Sequence, residues 1–173
     1  MGRVRATEPA LLFIGTLYSD TKIFNHSKEK LEKHFGDILL VSPSIPWDYS
    51  SYYKDELGSP LFRQFIFFKT LIDPGILADI KLKTNAIEDA LSSGGKRCIN
   101  LDPGYLTLSK IVLASTKDYA HRIYLGKGIY GEVTLIYKDG LYKPHLFTYR
   151  DYQDKTYIDI FMNVRAILKK MLG

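Results

Sequence analysis

Residues 99–147 read INLDPGYLTLSKIVLASTKDYAHRIYLGKGIYGEVTLIYKDGLYKPHLF. Short β-branched and aromatic runs alternate here with turn-forming residues, and nothing between them is long enough for a helical crossover. Consecutive strands must therefore pair as antiparallel hairpins. Asp139-Gly140 is the clearest turn signal, and a two-residue turn there sets Lys138 opposite Leu141. The same reasoning at Gly126-Lys127-Gly128-Ile129 sets Leu125 opposite Tyr130. Carried inward, these registers predict His121, Thr134 and His145 in one row across three strands, with Glu132 diagonal to His121 on the same face. Arg122 and Tyr124 fall on the opposite face with Val133, Leu135 and Leu146. Asn100 to Tyr105 reads as a turn in which Asp102 bonds local backbone while proline and glycine set the dihedrals.

Upstream, Leu11 to Gly15 reads as a buried strand. Ser19 or Asp20 then caps a helix with Ile23, Phe24, Leu31 and Phe35 on one face, and Gly36 stops it. Asp37 to Val41 is a second strand. Ser42 to Pro60 reads as a long loop carrying Trp47, Tyr49, Tyr52 and Tyr53, and Phe62 to Leu71 as an aromatic strand. Asp73-Pro74 opens a helix with Ile76, Ile80, Ile87 and Leu91 on its apolar stripe and Asp79, Lys83 and Glu88 away from it. Gly94-Gly95 ends that helix. A last helix spans about Lys155 to Leu172, and only Arg165 interrupts its apolar face. The order predicts one α+β domain over residues 1–173: a mostly antiparallel or mixed sheet with three helices, built as a ferredoxin-like core extended by C-terminal β-hairpins.

Composition narrows the function classes. The chain carries 24 Lys and Arg against 19 Asp and Glu, a net charge of +5, which favours anionic partners such as a nucleotide, a phosphorylated metabolite or RNA. The single cysteine, Cys98, excludes an internal disulfide and a multi-cysteine metal cage. No apolar run reaches membrane-spanning length, and the start, Met1-Gly2-Arg3-Val4-Arg5, lacks the apolar region of a secretory signal. The sequence-based expectation is a cytoplasmic protein with no membrane contact. Thirteen tyrosines supply stacking rings and hydroxyl donors, or simply suit half-buried strands.

Three motifs echo nucleotide sites. Gly126 to Val133 matches the glycine loop of protein kinases, but no partner motif accompanies it and a plain hairpin turn explains it better. Ser92-Ser93-Gly94-Gly95-Lys96-Arg97 resembles the end of a P-loop yet follows a helix instead of preceding one, so a Walker-type site is disfavoured. Thr116-Lys117-Asp118 places its aspartate one residue early for a guanine-reading motif. No metal ligands are assigned, since two histidines on strands flanking a third stand about 10 Å apart at the backbone.

The segments LIDP (71–74), ADIKLKTN (78–85), NLDPGYL (100–106), SKIVLASTKD (109–118) and AHRIYLGKGIYGEVTL (120–135) together resemble a bacterial domain-of-unknown-function family, DUF4416, over almost the whole chain. Its members are often labelled GTP-binding proteins, and that label is all the resemblance implies about activity. It supplies no established catalytic residues or cofactor.

The leading expectation is a protein that binds a phosphate-bearing ligand, nucleotide or RNA. Tyr105, Lys110, Lys117, Lys127 and Tyr130 would bind it, beside Asp102, His121 and Glu132. The enzyme alternative makes Glu132 and His121 an acid–base pair, with Asp102 as a further catalytic candidate. A third alternative is a protein-interaction module docking a partner through the Trp47 loop.

Overall fold

Asp20 opens the first helix by accepting the Lys22 N–H on its side chain, and Gly36, at a φ of 87°, closes it. The computed structural model to which this helix belongs describes residues 2–173; Met1, the start of the N-terminal stretch considered above, lies outside them. In chain order the elements are β1 (Ala10–Tyr18), α1 (Thr21–Phe35), β2 (Ile38–Val41), β3 (Ile45–Trp47), α2 (Lys54–Leu57), β4 (Leu61–Ile72), α3 (Leu77–Ala90), β5 (Ile99–Leu106), β6 (Lys110–Ser115), β7 (Ile123–Gly126), β8 (Ile129–Lys138), β9 (Leu141–Lys143) and α4 (Lys155–Leu172). The strands form one sheet in the order β2-β4-β1-β5-β6-β8-β7, with β3 added to β4 and β9 to β8. Every pairing is antiparallel.

The order β2-β4-β1-β5, with α1 and α3 as the connecting helices, is the ferredoxin-like arrangement, and β6 to β9 extend its β5 edge. Strand periodicity divides the core into two layers. Leu12, Ile14, Ile66, Phe68, Ile99 and Leu101 pack with Phe24 and Leu31 of α1 and Ile80 and Ile87 of α3. Leu11, Phe13, Phe65, Phe67, Leu106, Leu113 and Leu135 face the other way, onto Tyr157, Phe161, Val164 and Leu168 of α4. Arg165, the charged residue within the α4 stripe, donates from Nε to the Leu108 carbonyl at 2.9 Å and stacks its guanidinium on Tyr137 at 3.4 Å. No helix among the described residues is long and apolar enough to cross a membrane.

Several local readings change. The Ser42–Pro60 segment holds β3 and α2, so it is structured where a loop was expected. Asn100 to Tyr105 lies inside β5 and is not a turn. Pro103 is tolerated there because the strand alternation directs its missing N–H away from β1, to the side where β6 has already parted. The Asp139-Gly140 register holds, with Lys138 opposite Leu141 and Tyr137 opposite Tyr142. The other hairpin slips by one residue. Lys127 (φ 56°) and Gly128 (φ 75°) make the tight turn, but a bulge follows Tyr124, which faces Tyr130 in place of Leu125. The expected row of His121, Thr134 and His145 does not form as strand neighbours, since β7 begins at Ile123 and β9 ends at Lys143.

β5 and β6 pair only over Gly104–Leu106 and Ile111–Leu113, and they come close because Gly104 lacks a side chain. A Cβ there would sit 2.5 Å from the Val112 carbonyl oxygen and 2.6 Å from Phe13. Gly104→Ala should therefore destabilise the fold by about 1–3 kcal/mol, read as a fall in thermal midpoint of about 2–4 °C per kcal/mol; an unchanged midpoint would refute this packing argument.

Candidate functional site

Beyond Gly104 the two strands separate, and a cleft of about 730 Å³ occupies the parting. The free edge of β5 is satisfied from α3. Lys81 Nζ donates to the Leu101 carbonyl at 3.1 Å, and Glu88 accepts the Leu101 N–H. Two side chains thus replace the strand that would otherwise pair there. Arg63 shares the α4-facing side of β4 with Phe65 and Phe67, and Asn100 and Asp102 lie on the same side of β5. The segment after β9 and the β3–α2 loop cover this end, bringing Tyr149 to Tyr152, Trp47, Tyr49, Tyr52 and Tyr53 into the wall.

The buried charges are interlaced. Arg63, 4% exposed, lies 3.2 Å from Asp151 and 3.5 Å from Asp102, and Asp151 also accepts the Trp47 indole N–H at 3.0 Å. Burial works against the Arg63 charge, but Asp151, Tyr152, Tyr157 and Asp102 outweigh it and raise its pKa above the usual arginine value. Arg97 grips Glu56 through two N–H groups at 2.7 and 2.8 Å and donates to Asn100 at 2.9 Å. Arg122 Nε binds Glu132 at 2.7 Å, while its other nitrogens reach Ser115, the Lys117 carbonyl and Tyr149. Asp102 is the most open of the carboxylates that contact Arg63. Its Oδ2 accepts from Asn100 at 2.7 Å, whereas among the described residues Oδ1 has only Lys81, 3.9 Å away. Burial lifts the phenols of Tyr49 and Tyr149 to about 12, so both remain neutral donors at ordinary pH.

The structure brings three of the sequence-derived residues, Asp102, Lys117 and Glu132, to the cleft wall. His121 stands behind Glu132, 3.0 Å from its Oε2, and stacks on Phe147. Arg122, expected on the opposite face, meets the same carboxylate because residues 121 and 122 precede β7 and do not follow strand alternation. The remaining four lie elsewhere. Tyr105 packs beside Leu77, Ala78, Val112 and Ile129. Lys110 opens β6 opposite Ile136, at the end away from the cleft, Lys127 pairs with Asp79, and Tyr130 tilts against Tyr124. Trp47, expected as an exposed anchor, is only 6% exposed.

Sequence reasoning missed Arg63, Lys81, Glu88, Arg97 and Asp151. Arg63 had a signal, since it falls in step with Phe65 and Phe67 on an otherwise apolar strand face. Lys81, Thr84 and Glu88 are all buried along α3 at helical spacing, whereas the apolar stripe predicted from the sequence leaves Glu88 outside the core. Ser92 to Arg97 is a two-glycine turn closed by a Ser93–Lys96 bridge, with Arg97 turned to Glu56. Among the described residues no three His, Cys, Asp or Glu side chains converge as a metal would require.

Residues 8–168 match the family described as a domain of unknown function, DUF4416, and the chain belongs to that family. No curated protein and no solved structure matches it.

Burial raises the Glu88 pKa to about 7, against the pull of Lys81 and the Leu101 N–H. A folded carboxyl that holds its proton more tightly than the unfolded one favours folding at low pH. That advantage fades as pH rises from about 4.5 to 7. Glu88→Gln keeps the acceptor for Leu101 and removes the titration. The stability of the variant relative to the parent should rise by up to about 3 kcal/mol between pH 4 and 8 in denaturant titrations. A pH-independent difference would contradict this.

Proposed function

We propose that this member of the DUF4416 family binds a phosphate-bearing ring compound of nucleotide size in the cleft between β5 and β6. The volume suits such a ligand, since small-molecule pockets run from about 300 to 1,000 Å³. One observation carries the reading. Of the five wall cations, Arg63, Lys81 and Arg97 are held by carboxylates, while Lys117 and Arg150 have no carboxylate partner among the described residues. Both are exposed at the rim, and Lys117 Nζ lies 5.5 Å above the Tyr52 ring. Two uncommitted cations beside an aromatic wall suit a phosphate joined to a ring. The phosphate would take the cations, and the ring would lie against Trp47, Tyr52 or Tyr53. Asp102 Oδ1 and the Asn85 side chain, on the inner wall, would meet polar groups on the ring.

The family members' GTP-binding label is narrower than this support, because the wall contains no glycine loop at a helix N-terminus. An enzyme acting on the bound compound is a second reading, favoured by the half-free Asp102 carboxylate more than by Glu132 and His121. The Glu132 oxygen that faces His121 is already taken by the Arg122 guanidinium, 2.7 Å away.

Calorimetric titration with nucleosides and their mono-, di- and triphosphates tests the binding reading. At least one phosphorylated compound should bind about 10- to 100-fold more tightly than its nucleoside, and the Lys117→Ala, Arg150→Ala double variant should lose that preference while keeping nucleoside affinity. Equal preference in parent and variant, or no binding by any of them, would overturn it.

A further inference from the structure

α3 separates the cleft from a second concavity. Lys81, Asn85 and Glu88 face the cleft, whereas Lys83, Ala86 and Ala90 meet Lys30, Lys33 and His34 of α1 across a groove of about 220 Å³. Elsewhere on the surface Lys54, Lys69, Lys127, Lys143 and Lys155 each pair with an aspartate. Lys30, Lys33 and Lys83 have no such partner among the described residues. Their field falls on His34, whose pKa is lowered by burial and then by Lys83, Lys33 and Lys30, with no carboxylate offsetting them. Like charges gathered in a concavity repel one another unless an anion joins them.

We propose that the α1/α3 groove is a docking site for the phosphate backbone of a single nucleic-acid strand. Packed helices stand about 8–10 Å apart, so lysines on both banks reach a narrow linear polyanion lying between them. Ala86 and Ala90 leave room on the α3 bank for close approach. A concave groove favours such a strand over a flat lipid surface. No tyrosine, phenylalanine or tryptophan lines it, so the contact reads charge more than base identity. This site is independent of the ligand proposed for the cleft.

Fluorescence anisotropy with a labelled 12-nucleotide oligouridylate, over a series of salt concentrations, tests the proposal. Three reversals, Lys30→Glu, Lys33→Glu and Lys83→Glu, should weaken binding at least tenfold and flatten the plot of log affinity against log salt by about 2, or about 0.7 per lost phosphate contact. A charge-matched control, Lys138→Glu, Lys169→Glu and Lys170→Glu, alters exposed lysines outside the groove and should stay within about threefold of the parent. The Lys117→Ala, Arg150→Ala variant should bind the oligonucleotide as the parent does. Equal losses in groove and control variants would reduce the effect to net charge and overturn the proposal. So would an absence of binding at low salt, or sedimentation with vesicles of anionic phospholipid in place of oligonucleotide binding.

Discussion

Leu101 holds the molecule's architecture and its cleft together. A strand in the interior of a sheet must satisfy backbone groups on both sides, and β5 meets β1 along its length but β6 only at one end. At Leu101 the unpaired side is met by Lys81 and Glu88, one donor and one acceptor, from a helix that packs on the sheet. Leaving either backbone group unmet in this buried setting costs about 1–3 kcal/mol, so the parting of the strands is tied to the placement of α3. Pro103 and Gly104 complete the constraint. The first has no N–H to leave unmet, and the second lets the strands touch just before they separate.

The same logic of mutual satisfaction runs across the wall. Arg63 and Arg97 hold carboxylates from distant parts of the chain, Asp102 and Asp151 for the first and Glu56 for the second, and Arg122 holds Glu132 ten residues on. In the buried pairs, Arg63 with Asp151 and Arg122 with Glu132, removing one member strands the other. A wall with its donors and acceptors already arranged would lose little freedom on binding the ligand proposed for it. The loop over it is fastened at Trp47 to Asp151 and at Tyr49 to Asp154, which also caps α4.

Much of this frame was legible in the chain because its signals are local. Asp20 and Gly36, Asp73-Pro74, Asp139-Gly140 and the α4 stripe each act within a few residues, and each appears where local chemistry puts it. The cleft was legible only in part. Asp102, Lys117 and Glu132 drew notice through their neighbours, but Arg63 finds Asp102 and Asp151 across 39 and 88 residues, and Arg97 finds Glu56 across 41. No spacing rule encodes such meetings. The one-residue slip in the β7–β8 hairpin was hidden for a different reason. Its tight turn is set by Lys127-Gly128 as local chemistry requires, and the bulge beyond it comes from Leu125 folding over Gly131, where a side chain would have stood in the way.

The aromatic part of the wall has an optical consequence. The chain has one tryptophan, and it lies in the cleft wall with its indole N–H tied to a buried aspartate and Tyr49 and Tyr53 within 6 Å. Its ultraviolet emission therefore originates at the one place where a guest would alter polarity and ring contacts. The protein carries its own built-in fluorophore there, able to report cleft occupancy without any attached label.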